Sequence, residues 1–363
     1  MKIAVLVSLS LVLSLLAGPA AAIDWWQHRG LEGNTVMSVV GLGECRAYAA
    51  TEMALFYYDG SGEWDTLYLH SPAGRGRAYV QVNYPEVYLA WGWGSRSDGL
   101  WRSTDNGESW EVVRWMLFPR VLFVEGNVMF LAGDTLDQGV WRSSDQGQSW
   151  VSCDSGLTDA RLLSIEVSHR GVDSVLCGTK SDGAFLSTNG GFFWRPLGPF
   201  NNRPVPAVRW AVGEDPRMLL AVGGDADSAG VWSSTDGQTW LHELSLPDMT
   251  CFEESGRIAG CIGDSGTYWY YAGSWNPFCD SLDNRSIHCL SGLGFTWAGT
   301  ENGVYMCDQT PGVVEKTRPM ADSRQSTATV TGGRLFFPQA SAILLDITGR
   351  KVMDLRSGEN DIR

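Results

Sequence analysis

The sequence predicts an all-β fold, a seven-bladed β-propeller of four-stranded blades followed by a short β-rich tail. Three observations lead there. The 363-residue chain carries 43 Gly and 17 Trp with almost no helical periodicity; one turn motif recurs along it; and the motif returns about every 35 to 46 residues, a propeller period.

Residues Met1 to Ala22 come first. A charged start (Lys2), an apolar run from Ala4 to Leu16 and the small-residue stretch Gly18 to Ala22 are the order of a secretory signal peptide, with cleavage expected after Ala22. The expected location is therefore outside the cell or on its surface. No later stretch approaches the roughly 18 apolar residues needed to span a bilayer.

The repeat defines the next domain, residues 23–312. The run Gly99 to Trp110 returns as Gly139 to Trp150, with looser copies at Ser187 to Trp194 and Ser234 to Trp240 and degenerate ones ending at Trp64 and Trp275. The four clear turns are Ser103, Asp105, Gly107 and Trp110; Ser143, Asp145, Gly147 and Trp150; Ser187, Asn189, Gly191 and Trp194; and Ser234, Asp236, Gly237 and Trp240. Ser and Asp oxygens can accept the turn's own N–H groups, Gly supplies a positive φ, and Trp packs the turn onto the strand below. These residues read as structural.

Seven innermost strands are expected at Val36 to Val40, Ala78 to Val82, Val121 to Glu125, Leu162 to Val167, Ala207 to Val212, Met249 to Glu253 and Ser286 to Leu290. The seventh unit stops before its Trp, at Cys307 and Asp308, while Asp24-Trp25-Trp26 has no preceding strand of its own. The N-terminal segment is thus expected to supply the outer strand of the last blade and remove an unpaired edge. After a linker, 313–327, residues 328–363 contain a further β-rich stretch, Arg334 to Phe337 and Ile343 to Val352.

The Ser-x-Asp-x-Gly-x-x-Trp turns resemble the Asp box, or BNR repeat, of the sialidase-like superfamily, which includes xyloglucanases, sortilin-type receptors and photosystem II assembly factors. The resemblance covers residues 24 to about 310. The stretch Asp346 to Val352 resembles the C-terminal sorting domain of type IX secretion substrates, but the Gly-x-Tyr strand in which such domains end is missing, so the domain looks truncated. If functional, the tail would engage secretion machinery.

A formal charge of −14 argues against a nucleic-acid partner. No metal site or cofactor is expected, since the eight Cys include no Cys-x-x-Cys pair. In an exported chain eight Cys permit up to four disulfides in any of about 105 pairings, with Cys251 to Cys307 the densest region.

Alternating strand direction puts the D–A and B–C loops on the face opposite the box turns, and propeller ligands usually meet that face. Three sets fall there. Arg77, Arg120, Arg161, Arg203 and Arg285 precede or begin inner strands and could hold carboxylate or phosphate, or each pair with a neighbouring acid. Asp98, Asp134, Asp137, Asp182, Asp225, Asp227, Asp264 and Glu301 lie in B–C turns, where Asp is favoured in any case. Trp91, Trp93 and Trp115 offer flat faces for a sugar or a protein, or pack between blades.

The resemblance implies several functions. A sialidase would need an N-terminal Arg-Ile-Pro element, whereas Arg29 is followed by Gly30 and the nearest lookalike, Arg203 to Pro206, falls in blade five. Xyloglucanases resemble two propellers sharing a cleft, and here there is one. The expected function is a non-catalytic exported propeller that binds a protein or glycan partner on the D–A/B–C face, as a scaffold or assembly factor. A glycoside hydrolase using the B–C acids is the alternative, and a purely structural surface protein the third.

Overall fold

The computed structural model describes residues 26–307, apart from 43–44, 70–75, 93, 96–97, 136–137, 169–172, 212–216, 226, 247–248, 254–257, 262–266, 272–273, 278–281, 283–284 and 293–294, together with 329–361, apart from 332–333 and 346–350. The expected signal peptide and linker lie outside the described residues. The chain divides into two compact units, residues 24–312 and residues 1–23 with 313–363.

The larger unit begins with β1 (Trp26–Gly30). Blade one follows as β2 (Val36–Gly41), β3 (Ala47–Thr51), β4 (Ala54–Tyr58) and β5 (Trp64–Leu69). Blade two is β6 (Arg77–Asn83), β7 (Glu86–Gly92), β8 (Gly99–Ser103) and β9 (Glu111–Trp115), and blade three is β10 (Pro119–Glu125), β11 (Val128–Gly133), β12 (Val140–Ser143) and β13 (Val151–Ser152). Blade four is β14 (Leu162–Val167), β15 (Val175–Thr179), β16 (Ala184–Ser187) and β17 (Arg195–Leu197). Blade five is β18 (Ala207–Ala211), β19 (Arg217–Val222), β20 (Gly230–Ser234) and β21 (Leu241–Ser245). Blade six is β22 (Met249–Phe252), β23 (Ile258–Cys261), β24 (Thr267–Tyr271) and β25 (Ser274–Pro277). The last sheet is β26 (Ile287–Gly292), β27 (Thr296–Thr300), β28 (Gly303–Cys307) and the returning β1.

Among the described residues these make seven four-stranded antiparallel sheets. Their innermost strands pack in turn, β2 on β6, β6 on β10, β10 on β14, β14 on β18, β18 on β22, β22 on β26 and β26 back on β2, which makes the fold an all-β propeller. The ring is closed by β1, with Trp26 opposite Cys307 and His28 opposite Tyr305. Trp26 is buried in that last sheet.

Each second strand is covered on both faces by adjacent blades. Ala47–Thr51, Val175–Thr179 and Thr296–Thr300 are therefore buried at every position, and they read as continuous apolar or small-residue runs instead of alternating ones. Between blades a recurring aromatic joint forms from the third-strand Trp and the turn Trp. Tyr68 of blade one packs on Trp101 and Trp110 of blade two. In the same place Arg114 lies 3.8 Å from the ring centre of Trp141 and 5.6 Å from that of Trp150, and Phe200 meets Trp232 and Trp240 edge-on. An arginine substitutes for an aromatic ring because its flat guanidinium stacks on indole.

The turns bond as their residues dictate. The Ser103 hydroxyl donates to Asp105 and accepts the Gly107 N–H at 2.7 Å, Asp105 accepts the Ser109 N–H at 2.9 Å, and the Trp110 indole donates to the Gly107 carbonyl. Ser143 to Trp150 repeats these bonds, and Asn189 serves in place of Asp in blade four. Gly107 and Gly147 have φ of 98° and 84°, backbone that a Cβ would strain.

Cys45, Cys153 and Cys177 are unbridged, which corrects the expectation of up to four disulfides. Cys153 and Cys177 sit in one apolar cluster, and burial pushes the Cys153 thiol up to about 12, so it behaves as a small hydrophobe. Cys279 lies outside the described residues. No helix among the described residues is long and apolar enough to cross a membrane.

The other unit contains a three-stranded antiparallel sheet, β29 (Thr329–Thr331), β30 (Arg334–Leu345) and β31 (Lys351–Asp361). Most of the expected sorting motif, Asp346 to Arg350, lies outside the described residues.

Candidate functional site: the D–A face

Inner strands begin on the D–A face, so a residue just before or at the start of one is held at the mouth of the central channel. Arg77 opens β6 and hydrogen-bonds the Tyr79 hydroxyl two residues on. Arg120, in β10, lies 3.6 Å from Asp134, which also takes the Lys180 ammonium at 3.0 Å. Asp134 acts electrostatically on both Tyr79 and Arg161. Blades three and four thus bring Arg120 and Lys180 onto Asp134, with Arg161 within its electrostatic reach and Arg77 beside it through Tyr79.

Arg161 is further held by Asp159, which accepts its Nε at 2.8 Å, its Nη2 at 3.1 Å and its backbone N–H at 3.0 Å. Ser181 donates both its N–H and its hydroxyl to the same carboxylate. Burial works against ionising Asp159, but these bonds outweigh it and hold the carboxyl below its usual range. The effect is to lock the loop entering blade four onto that blade's B–C turn.

Arg203 and Arg285 do not join this group. Arg203 bonds Asp225 at 3.2 Å and the Ser228 carbonyl, both in its own blade. Arg285 stands 5.1 Å from the ring centre of Tyr305 in blade seven. The five arginines are therefore not one convergent set.

Several of the B–C acids are bonded to loop residues. Asp98 is buried and accepts bonds from the Gly94 and Ser95 N–H groups, the Ser95 hydroxyl and, across the D–A loop, the Phe118 N–H. Asp182 accepts from the Thr158 hydroxyl and the Asn202 N–H, and Asp225 from Arg203 and the Ser228 hydroxyl. Asp137 and Asp264 lie outside the described residues, and Asp227 makes no hydrogen bond or ion pair among them. No cluster of three or more His, Cys, Asp or Glu among the described residues is arranged to hold a metal ion.

Glu301 is different. Its Oε2 is buried without a partner among the described residues, as is Nε2 of His288 nearby. Burial lowers the His288 pKa, against the opposing pull of Glu301 and Glu52. Glu52 and Glu301 thus both act on His288 at the blade one and seven side of the mouth.

The tryptophans separate. Trp91 is buried in the joint between blades one and two, so it is core and not a ligand face. Trp93 lies outside the described residues. Trp115 is 57% exposed, braced edge-on by Trp101, and followed in the same loop by Leu117 at 42% and Phe118 at 40%. Lys180, Asp159, Leu117 and Phe118 are not singled out by the sequence, where arginines, B–C acids and Trp carry the reading; every charged and large apolar residue of the D–A and B–C loops has to be weighed to find them.

No protein-family model and no curated protein matches the chain. Solved structures do. The chain is similar to YCF48 bound to a D1 peptide at 14% identity and a TM-score of 0.60, over 79% of this chain and 98% of that one. It is similar to the extracellular domain of the two component system BT4673 from B. thetaiotaomicron at 16% identity and 0.62, over 89% of this chain and 46% of that one. The Niastella koreensis GH74 enzyme gives 15% identity and 0.58, over 79% of this chain and 54% of that one, so the chain spans about half the length of these last two. At such identities the likeness is one of fold, and the fold shared by all three is the β-propeller.

Proposed function

We propose that this chain is an exported seven-bladed propeller of the Asp-box kind that binds a protein partner on its D–A face, with a glycan as the second class of ligand. The observation that carries the reading is the meeting of Arg120 and Lys180 at Asp134, with Arg161 on Asp159 and Arg77 on Tyr79 beside them, and Trp115, Leu117 and Phe118 exposed on the D–A loop after blade two. Four cations against two carboxylates leave excess positive charge on a chain whose formal charge is −14. Such a surface suits an acidic segment with apolar side chains, since charge steers the encounter and the aromatic loop supplies area removed from water. The D1 peptide on YCF48 supports peptide binding by this fold. Export is supported by the first 22 residues and by the extracellular domains among the structural neighbours. The stretch Asp346 to Val352 is read as part of a sorting domain.

A hydrolase like the GH74 neighbours is the weaker reading, because Asp98, Asp182 and Asp225 are committed to loop hydrogen bonds. Among the described residues Glu301 Oε2 and His288 Nε2 are buried without partners, and these are the atoms such work would use.

The test is thermal stability of the full chain against acidic peptides and against a polysaccharide panel, with released sugar assayed in the same wells. A shift produced by peptides and abolished in R77E/R120E supports the reading. Sugar release that needs Glu301 replaces it with the hydrolase, and no shift by any ligand leaves the structural role.

A further inference from the structure

Blades two and three carry the same motif, so their differences isolate what one of them does in addition to folding. In blade two Arg102 is fully compensated. Its Nε donates to Glu111 at 2.8 Å across the β8–β9 pair, Glu86 stands 3.8 Å away, and Tyr88, also bonded to Glu86, lies opposite it in register.

In blade three every one of those partners is apolar. Arg142 is opposite Val151 where Arg102 is opposite Glu111, and opposite Phe130 where Arg102 is opposite Tyr88. The register that places Glu86 opposite Asn83 places Val128 opposite Glu125. Among the described residues Arg142 has no hydrogen bond or ion pair, and its Nε is buried without an acceptor. The guanidinium lies instead over aromatic rings, 6.0 Å from the centre of Phe130 and 5.1 Å from that of Phe192.

Phe192 belongs to a second departure from the repeat. The two residues before the turn Trp are Glu108-Ser109, Gln148-Ser149 and Gln238-Thr239 in the sibling turns, but Phe192-Phe193 in blade four. Phe192 is 49% exposed, Phe193 57% and Val151 48%. The turn closes without Phe193's side chain, since only its N–H bonds Asn189. Folding therefore does not explain the pair.

We propose that Arg142, Phe192, Phe193 and Val151 form a second binding site, on the rim at the turn end of blades three and four, for a partner-protein segment bearing a carboxylate beside an apolar side chain. The carboxylate would take the place that Glu111 holds in blade two, and the apolar neighbour would cover the two phenyl rings. A charged hydrogen bond formed beside apolar surface is stronger than one in water, and an aromatic–arginine pair of this kind is the usual composition of an interface centre.

The probe is a set of acetylated hexapeptide pools with Glu, Asp, Gln or Lys fixed at one central position and the rest randomised, passed over the immobilised full chain. The expected result is retention of Glu and Asp pools rich in Phe, Leu or Ile, about tenfold over Gln pools, as one charge-assisted hydrogen bond allows. To read this site apart from the D–A face, R77E/R120E serves as the background: it should keep a preference for Glu over Gln, R77E/R120E/R142Q should erase that preference, and F192S/F193S in the same background should lower retention of all pools. Equal Glu preference in R77E/R120E and R77E/R120E/R142Q overturns the proposal. So does the absence of any enriched pool, or binding to phosphatidylglycerol vesicles in place of peptides. Circular dichroism and the melting midpoint confirm that each variant is folded.

Discussion

Replacing Glu243 by Ala tests what holds blades five and six together. Arg217 and Glu243 are each 7% exposed and lie 3.5 Å apart. Glu243 also accepts the Ser233 hydroxyl at 2.6 Å and the Trp275 indole N–H at 2.7 Å, while Arg217 donates to the Tyr270 hydroxyl at 3.0 Å and stacks 4.1 Å over that ring. Removing the carboxylate strands a buried guanidinium, which costs about 3 to 5 kcal/mol, and orphans an indole donor, about 1 to 3 kcal/mol more. These overlap, because both donors share one oxygen, so the expected loss is about 4 to 6 kcal/mol. In a domain of this size that lowers the melting midpoint by roughly 7 to 10 °C. The assay is thermal unfolding by circular dichroism with urea unfolding alongside. The partner variant R217M/E243L, which removes both charges together, is expected to recover most of the loss, since an apolar replacement of a buried pair is often neutral. A loss below about 1 kcal/mol for E243A, or a double variant worse than the single, would refute the claim that the pair's value lies in mutual compensation.

Two pH responses follow from the same kind of reasoning. Asp105, Asp145 and Asp236 are held down to about 2 by hydrogen bonds within their turns. Their contribution is complete above the unfolded carboxyl range and is lost as pH falls through about 2, so the triple variant D105N/D145N/D236N should show a shallower acid-unfolding limb below about pH 4. At pH 7 it should remain folded with a similar midpoint, because Asn189 already does the same work in blade four. His288 has the opposite chemistry and the same slope. Burial favours its neutral form, so the unfolded chain binds the proton more readily and stability falls as pH drops below about 6.5. H288Q should flatten the stability profile in that window, read by urea midpoints from pH 5 to 8, about one unit either side of the ordinary His range.

How much of this was legible in the sequence depends on how far apart the cooperating residues lie. The turn motif is local, so the roles of Ser103, Asp105 and Trp110 follow from residues within one turn and match the bonds observed. The inner strands at Ala78, Val121, Leu162 and Ala207 stand where the apolar runs placed them, because their apolar positions pack between neighbouring inner strands. The closing strand was legible for a different reason, as a count of strands that came out short at one end and long at the other. The face residues were harder. Arg120, Arg203 and Arg285 look alike in sequence, yet one joins a cluster across blades and two bond within their own. Trp91 and Trp115 both depart from the repeat, and only register within β7 decides that Trp91 turns into the joint between blades one and two. Such outcomes turn on the geometry between blades, which no single repeat encodes.

The return of β1 to the last blade sets an order on assembly. The strand leaves the ribosome before any blade exists, and its hydrogen-bonding partner, Gly303–Cys307, is made after nearly all of the ring. Until then Trp26 has no burial site. The cost of joining such distant ends grows only with the logarithm of the intervening length, so the finished hoop is little penalised for its size. Its speed is another matter, since contacts this far apart form late. Six blades can stack in the order of synthesis, but the ring becomes one cooperative object only when its oldest segment is taken up by its youngest.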